Sequence, residues 1–81
     1  MNKYYIIITW IGVIDVTNKV YELRKLNKMT QDDLASKLGV TRQTIISIEK
    51  GKYVASLQLA LKMSKIFNVS VEEIFELEKG E

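Results

Sequence analysis

In two stretches between positions 31 and 50, apolar residues lie three or four positions apart, the spacing that places side chains on one face of an α-helix. They are Leu34 and Leu38 in the first stretch and Ile45 and Ile48 in the second, with Val40 between the two. The stretch reads QDDLASKLGVTRQTIISIEK, and Gly39 divides it into two parts. This pattern predicts two short helices, at residues 31–38 and 42–50, joined by a tight turn and packed through their apolar faces.

The ends of these two predicted helices carry residues that favour helix termini. Thr30 can cap the first helix, and Asp33 can reach back from the third position to complete a capping box. Gly39 can adopt the left-handed conformation that ends a helix, and Thr41 can cap the second helix. Ala35 is small enough to let the two helices cross closely. In this order, these features predict a helix-turn-helix motif.

The same periodicity predicts three further helices, at residues 18–27, 57–67 and 71–77. Ser56 and Ser70 are suitable N-caps for the last two, and Ser70 with Glu73 can form a second capping box. Five short helices in one small chain indicate an all-α fold.

The predicted helix at residues 57–67 is apolar along two lines. One line holds Leu57, Ala60, Leu61 and Ser64, and the other holds Leu59, Met63, Ile66 and Phe67. Either both lines close the core, or the surplus apolar surface, together with Phe75 and Leu77, pairs two copies of the chain.

Composition narrows the classes of function. The chain has 81 residues, 47% of them hydrophobic, with 4 Gly and no Pro, which indicates one ordered, mostly helical domain. It has no Cys and no His, so disulfides, thiol chemistry and the commonest general base and metal ligand are excluded. We therefore expect no enzyme activity, no cofactor and no metal. The lack of Cys is also compatible with a cytoplasmic protein.

Charge is distributed unevenly, although the net charge of the chain is only +2. Residues 19–53 include eight basic and four acidic side chains, whereas residues 54–81 include three basic and five acidic ones. A basic helix-turn-helix half and an acidic tail are expected if one face of the domain meets phosphates. An ordinary solvated surface can give the same distribution.

Residues 20–77 resemble the phage-repressor and Cro-like helix-turn-helix domains, the XRE family of bacterial and archaeal regulators. The matching stretches are YELRKLNKMTQDDLASKLGV, TRQTIISIEKGK and SLQLALKMSKIFNVSVEEIFELE, about three-quarters of the chain. The resemblance implies an all-α, five-helix, repressor-like domain whose third helix enters the major groove of double-stranded DNA. Ala55 departs from the family, which often has proline in the loop before the fourth helix.

On such a fold, the N-terminal end of the third helix projects into the groove. The base-reading candidates are Arg42, Gln43, Thr44, Ile46 and Ser47. Arg can bind guanine and Gln can bind adenine with two hydrogen bonds each. Ile46 is expected to point outward, because Ile45 and Ile48 suffice for the core; there it either contacts a thymine methyl group or is an ordinary exposed apolar residue.

Other polar residues are expected to contact the DNA backbone. By similarity to the family, Gln31 donates to a phosphate, assisted by the amides at the start of its helix. The phosphate-contacting candidates are Gln31, Thr41, Lys50, Lys52 and Tyr53. For Lys52 and Tyr53, a solvated surface position is the alternative. The family counterparts of Arg24 and Glu49 pair across the first and third helices, which implies a structural ion pair rather than base reading.

The resemblance as a whole implies a sequence-specific transcriptional regulator. We expect a repressor that acts as a homodimer on an inverted repeat, with half-sites about 34 Å apart. Two alternatives stay open: the antitoxin half of a toxin pair that represses its own operon, and a protein-interaction module that kept the fold and lost DNA binding.

Residues 1–16, MNKYYIIITWIGVIDV, have no counterpart in the family pattern, so we divide the chain into this apolar extension and a helix-turn-helix domain at residues 17–81. The apolar run is too short for a bilayer-spanning helix, which needs about 20 residues, and no membrane partner is expected. The extension could pair with its symmetry mate as a strand, pack over the domain as an arm, or be no part of the native protein. We favour the last interpretation, and expect the segment, if expressed, to pack or self-associate.

Overall fold

The computed structural model describes residues 16–52 and 55–77, which form five short helices and a two-stranded sheet. In chain order the elements are β1 Val16–Asn18, α1 Val20–Leu26, α2 Gln31–Leu38, α3 Arg42–Glu49, α4 Leu57–Phe67, α5 Val71–Ile74 and β2 Phe75–Leu77. The prediction of a five-helix, repressor-like fold is confirmed, with the short strand pair as an addition. Within these described ranges, no helix is long and apolar enough to cross a membrane.

The core consists largely of apolar positions that the helical spacing predicted, together with Val20 and Ile74. The largest fully buried side chains are Leu34, Leu38, Ile45, Ile48, Met63, Ile74 and Val20. Ala35 is also buried, and Val40 is half-buried and packs against the cluster. Burying one Leu or Ile side chain contributes about 1.5–3 kcal/mol, so this cluster holds the small domain together.

The predicted caps of the helix-turn-helix are present. The Thr30 hydroxyl accepts a hydrogen bond from the Asp33 backbone N–H, and the Thr30 N–H donates to the Asp33 carboxylate, each at 2.9 Å. These bonds hold the pKa of Asp33 below its ordinary value. Gly39 ends α2 with a φ of 74°, and Thr41 accepts from the Thr44 N–H at the start of α3. The turn between the helices is therefore specified locally.

The prediction of a helix at residues 71–77 is wrong for its C-terminal half. Ser70 and Glu73 form the expected capping box, but α5 ends at Ile74 and Phe75 is already extended. Residues Phe75–Leu77 form β2, which pairs antiparallel with β1 in the register Val16↔Leu77, Thr17↔Glu76 and Asn18↔Phe75. The strand partner lies almost sixty residues away in sequence, so local periodicity did not reveal it.

The start of the first helix and the end of the third also differ from prediction. Asn18 lies in β1, and α1 begins at Val20, whose N–H donates to the Asn18 side chain at 3.1 Å. Helix α3 ends at Glu49, with Lys50 as its C-cap. The second change is a shift of one residue at a helix end, whereas the first places Asn18 in a sheet.

The two apolar lines predicted for α4 are not buried equally. Leu59, Met63 and Phe67 of one line are buried, and so is Ala60 of the other, whereas Leu57 is 39% exposed and Leu61 50% exposed. Leu77 in β2 is also 52% exposed. The described part of the domain therefore carries large apolar side chains on its surface that its own core does not need.

The predicted extension is described only at its end. Val16 is the first residue of β1 and pairs with Leu77. Residues 1–15 lie outside the described residues, so the three interpretations of that segment remain predictions, as does the division of the chain at residue 16.

A chain that begins at Val16 is expected to fold and to bind DNA nearly as well as the full chain. Such a chain keeps every contact of the core, the caps and the β1–β2 pair given above. Thermal unfolding followed by circular dichroism, and a DNA-binding titration, would compare the two chains. Loss of folding or of self-association in the shorter chain would show that residues 1–15 are structural.

Candidate nucleic-acid interface

Helix α3 has a buried face and an exposed face. Ile45 and Ile48 are fully buried. Arg42 and Gln43, at the N-terminal end of the helix, are exposed. The other three base-reading candidates, Thr44, Ile46 and Ser47, are half-buried. Ile46 is therefore less exposed than a residue pointing straight outward, and Arg42 and Gln43 are the more exposed of the base-reading candidates.

Arg24 and Glu49 lie in contact across α1 and α3. Arg24 Nε lies 2.7 Å from Glu49 Oε2 and Nη2 lies 3.2 Å from Oε1, a two-pronged arrangement of charged hydrogen bonds. The third nitrogen, Nη1, donates to the carbonyl oxygen of Met29 at 2.9 Å. The two charged side chains are only 7% and 8% exposed. The hydrogen bond to Glu49 raises the pKa of Arg24, so the site holds a permanent cation.

A hydrogen-bonded chain connects this ion pair to the exposed end of α3. Gln31 Nε2 donates to Glu49 Oε1 at 3.2 Å, and Gln31 Oε1 accepts from Arg42 Nε at 3.3 Å. Gln31, predicted only as a phosphate contact, is thus also a link between buried Arg24–Glu49 and exposed Arg42. Its amide keeps one N–H for another acceptor. No periodicity or spacing in the sequence indicated this link.

An open groove of about 440 Å³ runs past these residues. It is lined by Arg24, Lys25, Met29, Thr30, Gln31, Asp32 and Arg42. The start of α2 points into the same region, and the amides at a helix N-terminus favour anions. Lys25 and Arg42 add positive charge to this groove, and Asp32 adds a negative charge.

The remaining phosphate candidates follow or precede α3. Thr41 is exposed, and its hydroxyl lies 3.1 Å from the Thr44 hydroxyl while capping the helix. Lys50 and Lys52 are exposed beyond the end of α3. Gly51 between them has a φ of 74°, which turns the chain away from the helix axis. Tyr53 lies outside the described residues.

Sequence reasoning missed one residue that contacts α3 from outside the predicted interface. Asn18 lies in β1, yet its Nδ2 donates to the carbonyl oxygen of Ile48 at 2.8 Å, in the last turn of α3. No sequence signal indicated this contact, because Asn18 and Ile48 lie 30 residues apart in the chain.

A family model of the helix-turn-helix matches residues 20–74, more than half of the chain. The chain belongs to this helix-turn-helix family. The predicted resemblance to the phage-repressor and Cro-like, or XRE, domains is confirmed. The protein is accordingly a DNA-binding transcriptional regulator and not an enzyme.

Two relatives match nearly their whole length. An uncharacterised helix-turn-helix transcriptional regulator of Methanocaldococcus jannaschii, MJ0272, is 58% identical over 64 residues, 79% of this chain and 97% of the relative. The uncharacterised regulator YgzD of Bacillus subtilis is 52% identical over 62 residues, 76% of this chain and 94% of the relative. Relatives from an archaeon and from a bacterium are therefore each more than half identical to this chain over the matched residues.

Solved structures agree on the fold. The restriction-modification controller protein C.AhdI of Aeromonas hydrophila superposes on this chain with a TM-score of 0.63 at 27% identity. The matched region covers 68% of this chain and 83% of the C.AhdI chain. A DNA-binding protein of Bacteroides fragilis has a TM-score of 0.69 at 21% identity and covers 75% of this chain and 98% of its own. The second likeness shows the fold alone.

Proposed function

We propose that this helix-turn-helix regulator is a sequence-specific repressor that binds an inverted DNA repeat as a homodimer. The observation that carries the proposal is the division of α3: Ile45 and Ile48 are buried, while Arg42 and Gln43 are exposed at its N-terminal end. An α-helix fits the major groove of B-DNA, where each base pair presents its own pattern of donors and acceptors.

Arg42 and Gln43 are proposed to read bases directly. Among the described residues, Arg42 is bonded through Nε alone, so its two terminal nitrogens remain to donate to O6 and N7 of guanine. Because Gln31 already holds the guanidinium, less side-chain freedom is lost on binding. Gln43 can bind adenine in the same two-pronged way. The half-buried Thr44, Ile46 and Ser47 complete the reading surface, and Ile46 suits a thymine methyl group.

Backbone contacts are proposed to orient this surface on the duplex. They are assigned to Gln31, Thr41, Lys50, Lys52 and Tyr53. Gln31 retains one amide N–H after bonding Glu49, at the mouth of the groove by α2. The two lysines are exposed beyond α3, where flexible cations can reach phosphates without reading sequence.

The homodimer is proposed to form through the exposed side of α4 that carries Leu57 and Leu61. Leu57 and Leu61 are four residues apart, so they lie on the same side of the helix, and both are substantially exposed. A two-fold axis beside such a line brings each copy against the same surface of the other. The symmetry also places two recognition helices on one face of the DNA, about 34 Å apart.

Repression would follow from occupancy, because a bound dimer blocks polymerase at an overlapping promoter. The relatives are archaeal and bacterial regulators, whose DNA lies in the cytoplasm, and the same location is proposed here. Selection of bound sites from random duplexes tests the function as a whole. A two-fold symmetric site with half-sites about one helical turn apart is expected, and recovery of no preferred sequence would refute the proposal.

Replacing Leu61 by Gln is expected to weaken dimerisation by about 1.5–3 kcal/mol per dimer, since each copy loses the burial of a half-exposed leucine. The change adds no charge. Light scattering coupled to size exclusion would measure the dissociation constant. Lys62→Gln, at an exposed position on another side of the same helix, introduces the same residue type as a matched control and should leave the constant unchanged. A dimer of unaltered strength in Leu61→Gln would exclude this surface.

A further inference from the structure

One side chain, that of Asn18, joins three parts of the fold. As the last residue of β1, Asn18 pairs with Phe75 of β2. Its Oδ1 accepts a hydrogen bond from the Val20 N–H at the start of α1, at 3.1 Å. Its Nδ2 donates to the carbonyl oxygen of Ile48 in α3, at 2.8 Å. Both ends of the half-buried amide are therefore in use.

The acceptor in α3 is a carbonyl group at the end of the recognition helix. The last four carbonyl groups of a helix have no partner within it. The Ile48 carbonyl oxygen accepts from the Gly51 N–H at 2.9 Å as well as from Asn18, and the Ile48 side chain is fully buried. Loss of a hydrogen bond at such a partly buried position is not fully compensated by water. Asn18 therefore ties α3 to the β1–β2 sheet.

The next residue of α3, Glu49, is held by Arg24. The last turn of the helix is thus anchored at two adjacent residues, Ile48 through its backbone and Glu49 through its side chain. The base-reading end lies about 9 Å away along the axis at about 1.5 Å per residue. A tilt of about 10° about the last turn moves Arg42 by about 1.6 Å, whereas a recognition group must be held within about 0.5 Å.

We infer that Asn18 is a positioning residue that determines specificity by fixing the angle of the recognition helix, although it does not itself contact DNA. The inference rests on the proposed function, because it concerns the same reading surface. Two-pronged bonds from Arg42 and Gln43 to bases lose their geometry when α3 tilts. Lysine contacts to phosphates tolerate the same tilt, since the charge lies on a long flexible stem. Loss of the Asn18 donor should therefore reduce discrimination between sequences.

Two variants of the full chain isolate the donor. Asn18→Asp keeps an oxygen that can accept from the Val20 N–H but replaces the donor to Ile48 with a second acceptor. Asn18→Ser adds no charge and can accept from the same N–H, while its oxygen lies one bond short of the lost nitrogen. Thr17→Ala is the matched control, since the Thr17 hydroxyl bonds the Glu76 carbonyl within the sheet at 3.3 Å. Affinities for the selected operator and for random duplex would be measured over a range of salt concentrations.

The ratio of operator to random affinity is expected to fall about tenfold in both Asn18 variants, the scale of one weakened base contact. The salt dependence should stay unchanged, because no phosphate contact is removed. Thr17→Ala should keep the ratio. Equal loss for operator and random duplex, an equal loss in Thr17→Ala, or failure of both Asn18 variants to fold would each overturn the inference. A wild-type chain that selects no sequence would instead refute the proposed function, and the inference with it.

Discussion

Replacing Glu49 by Ala is expected to destabilise the domain by about 3–5 kcal/mol, because it leaves the Arg24 cation buried without its carboxylate. The two side chains are only 7% and 8% exposed, so water cannot solvate the abandoned charge. Gln31 loses an acceptor in the same change. Natural domains have a total stability of about 5–15 kcal/mol, so the change removes a large fraction of the free energy of unfolding. Urea unfolding followed by circular dichroism measures the loss.

A double-mutant cycle separates the ion pair from its surroundings. Arg24→Met with Glu49→Leu should be much less destabilised than Glu49→Leu alone, because apolar residues of similar size leave no buried charge. Glu22→Ala, an exposed carboxylate on the same helix as Arg24, is the control and should change stability by less than about 0.5 kcal/mol. A coupling energy near zero between Arg24 and Glu49 would contradict this account.

Arg42→Ala should cost about 1–3 kcal/mol of binding at the preferred base in each half-site and relax the choice at that position. The variant removes the two terminal nitrogens proposed to grip guanine, together with the bond to Gln31. Competition between the selected operator and single-base variants of it would measure the loss. Gln43→Ala should act in the same way at a neighbouring position.

Lys50→Ala is the comparison for Arg42→Ala, because both variants remove one exposed positive charge near the same helix. Lys50→Ala should weaken all sequences alike and reduce the slope of log affinity against log salt by about one unit, as loss of one phosphate contact does. If Arg42→Ala and Lys50→Ala leave the same sequence preference and the same slope, the separation of base reading from backbone contact is wrong.

The helix-turn-helix was predictable because its determinants are close together in sequence. The Thr30–Asp33 capping box, the left-handed Gly39 and the Thr41 cap all act within a few residues, and each is present. The apolar periodicity indicated which side of α2 and α3 faces the core, since a helix has one period whatever it packs against. The family pattern, in turn, indicated that Arg24 and Glu49 would pair.

Other features depended on contacts between distant segments. The helical pattern of residues 71–77 was outweighed at Phe75–Leu77 by hydrogen bonds to β1, which became available only when the two ends of the domain met. Asn18 likewise meets α3 across 30 residues of sequence, and packing of α2 on α3 brings Gln31 between Glu49 and Arg42. When a polar side chain has several possible hydrogen-bond partners, the linear sequence does not indicate which one it binds.

Local sequence patterns indicated where four of the five described helices begin, which residues of α2 and α3 enter the core, and to which family the chain belongs. Capping, turn geometry and helical period are properties of neighbouring residues, so they can be read along the chain. Packing between distant segments leaves Leu57 and Leu61 outside the core, replaces the end of the last predicted helix with β2, and links Arg42 through Gln31 to the Arg24–Glu49 pair. These outcomes depend on which apolar surfaces are buried in one small core. That burial is fixed only when all the helices pack together.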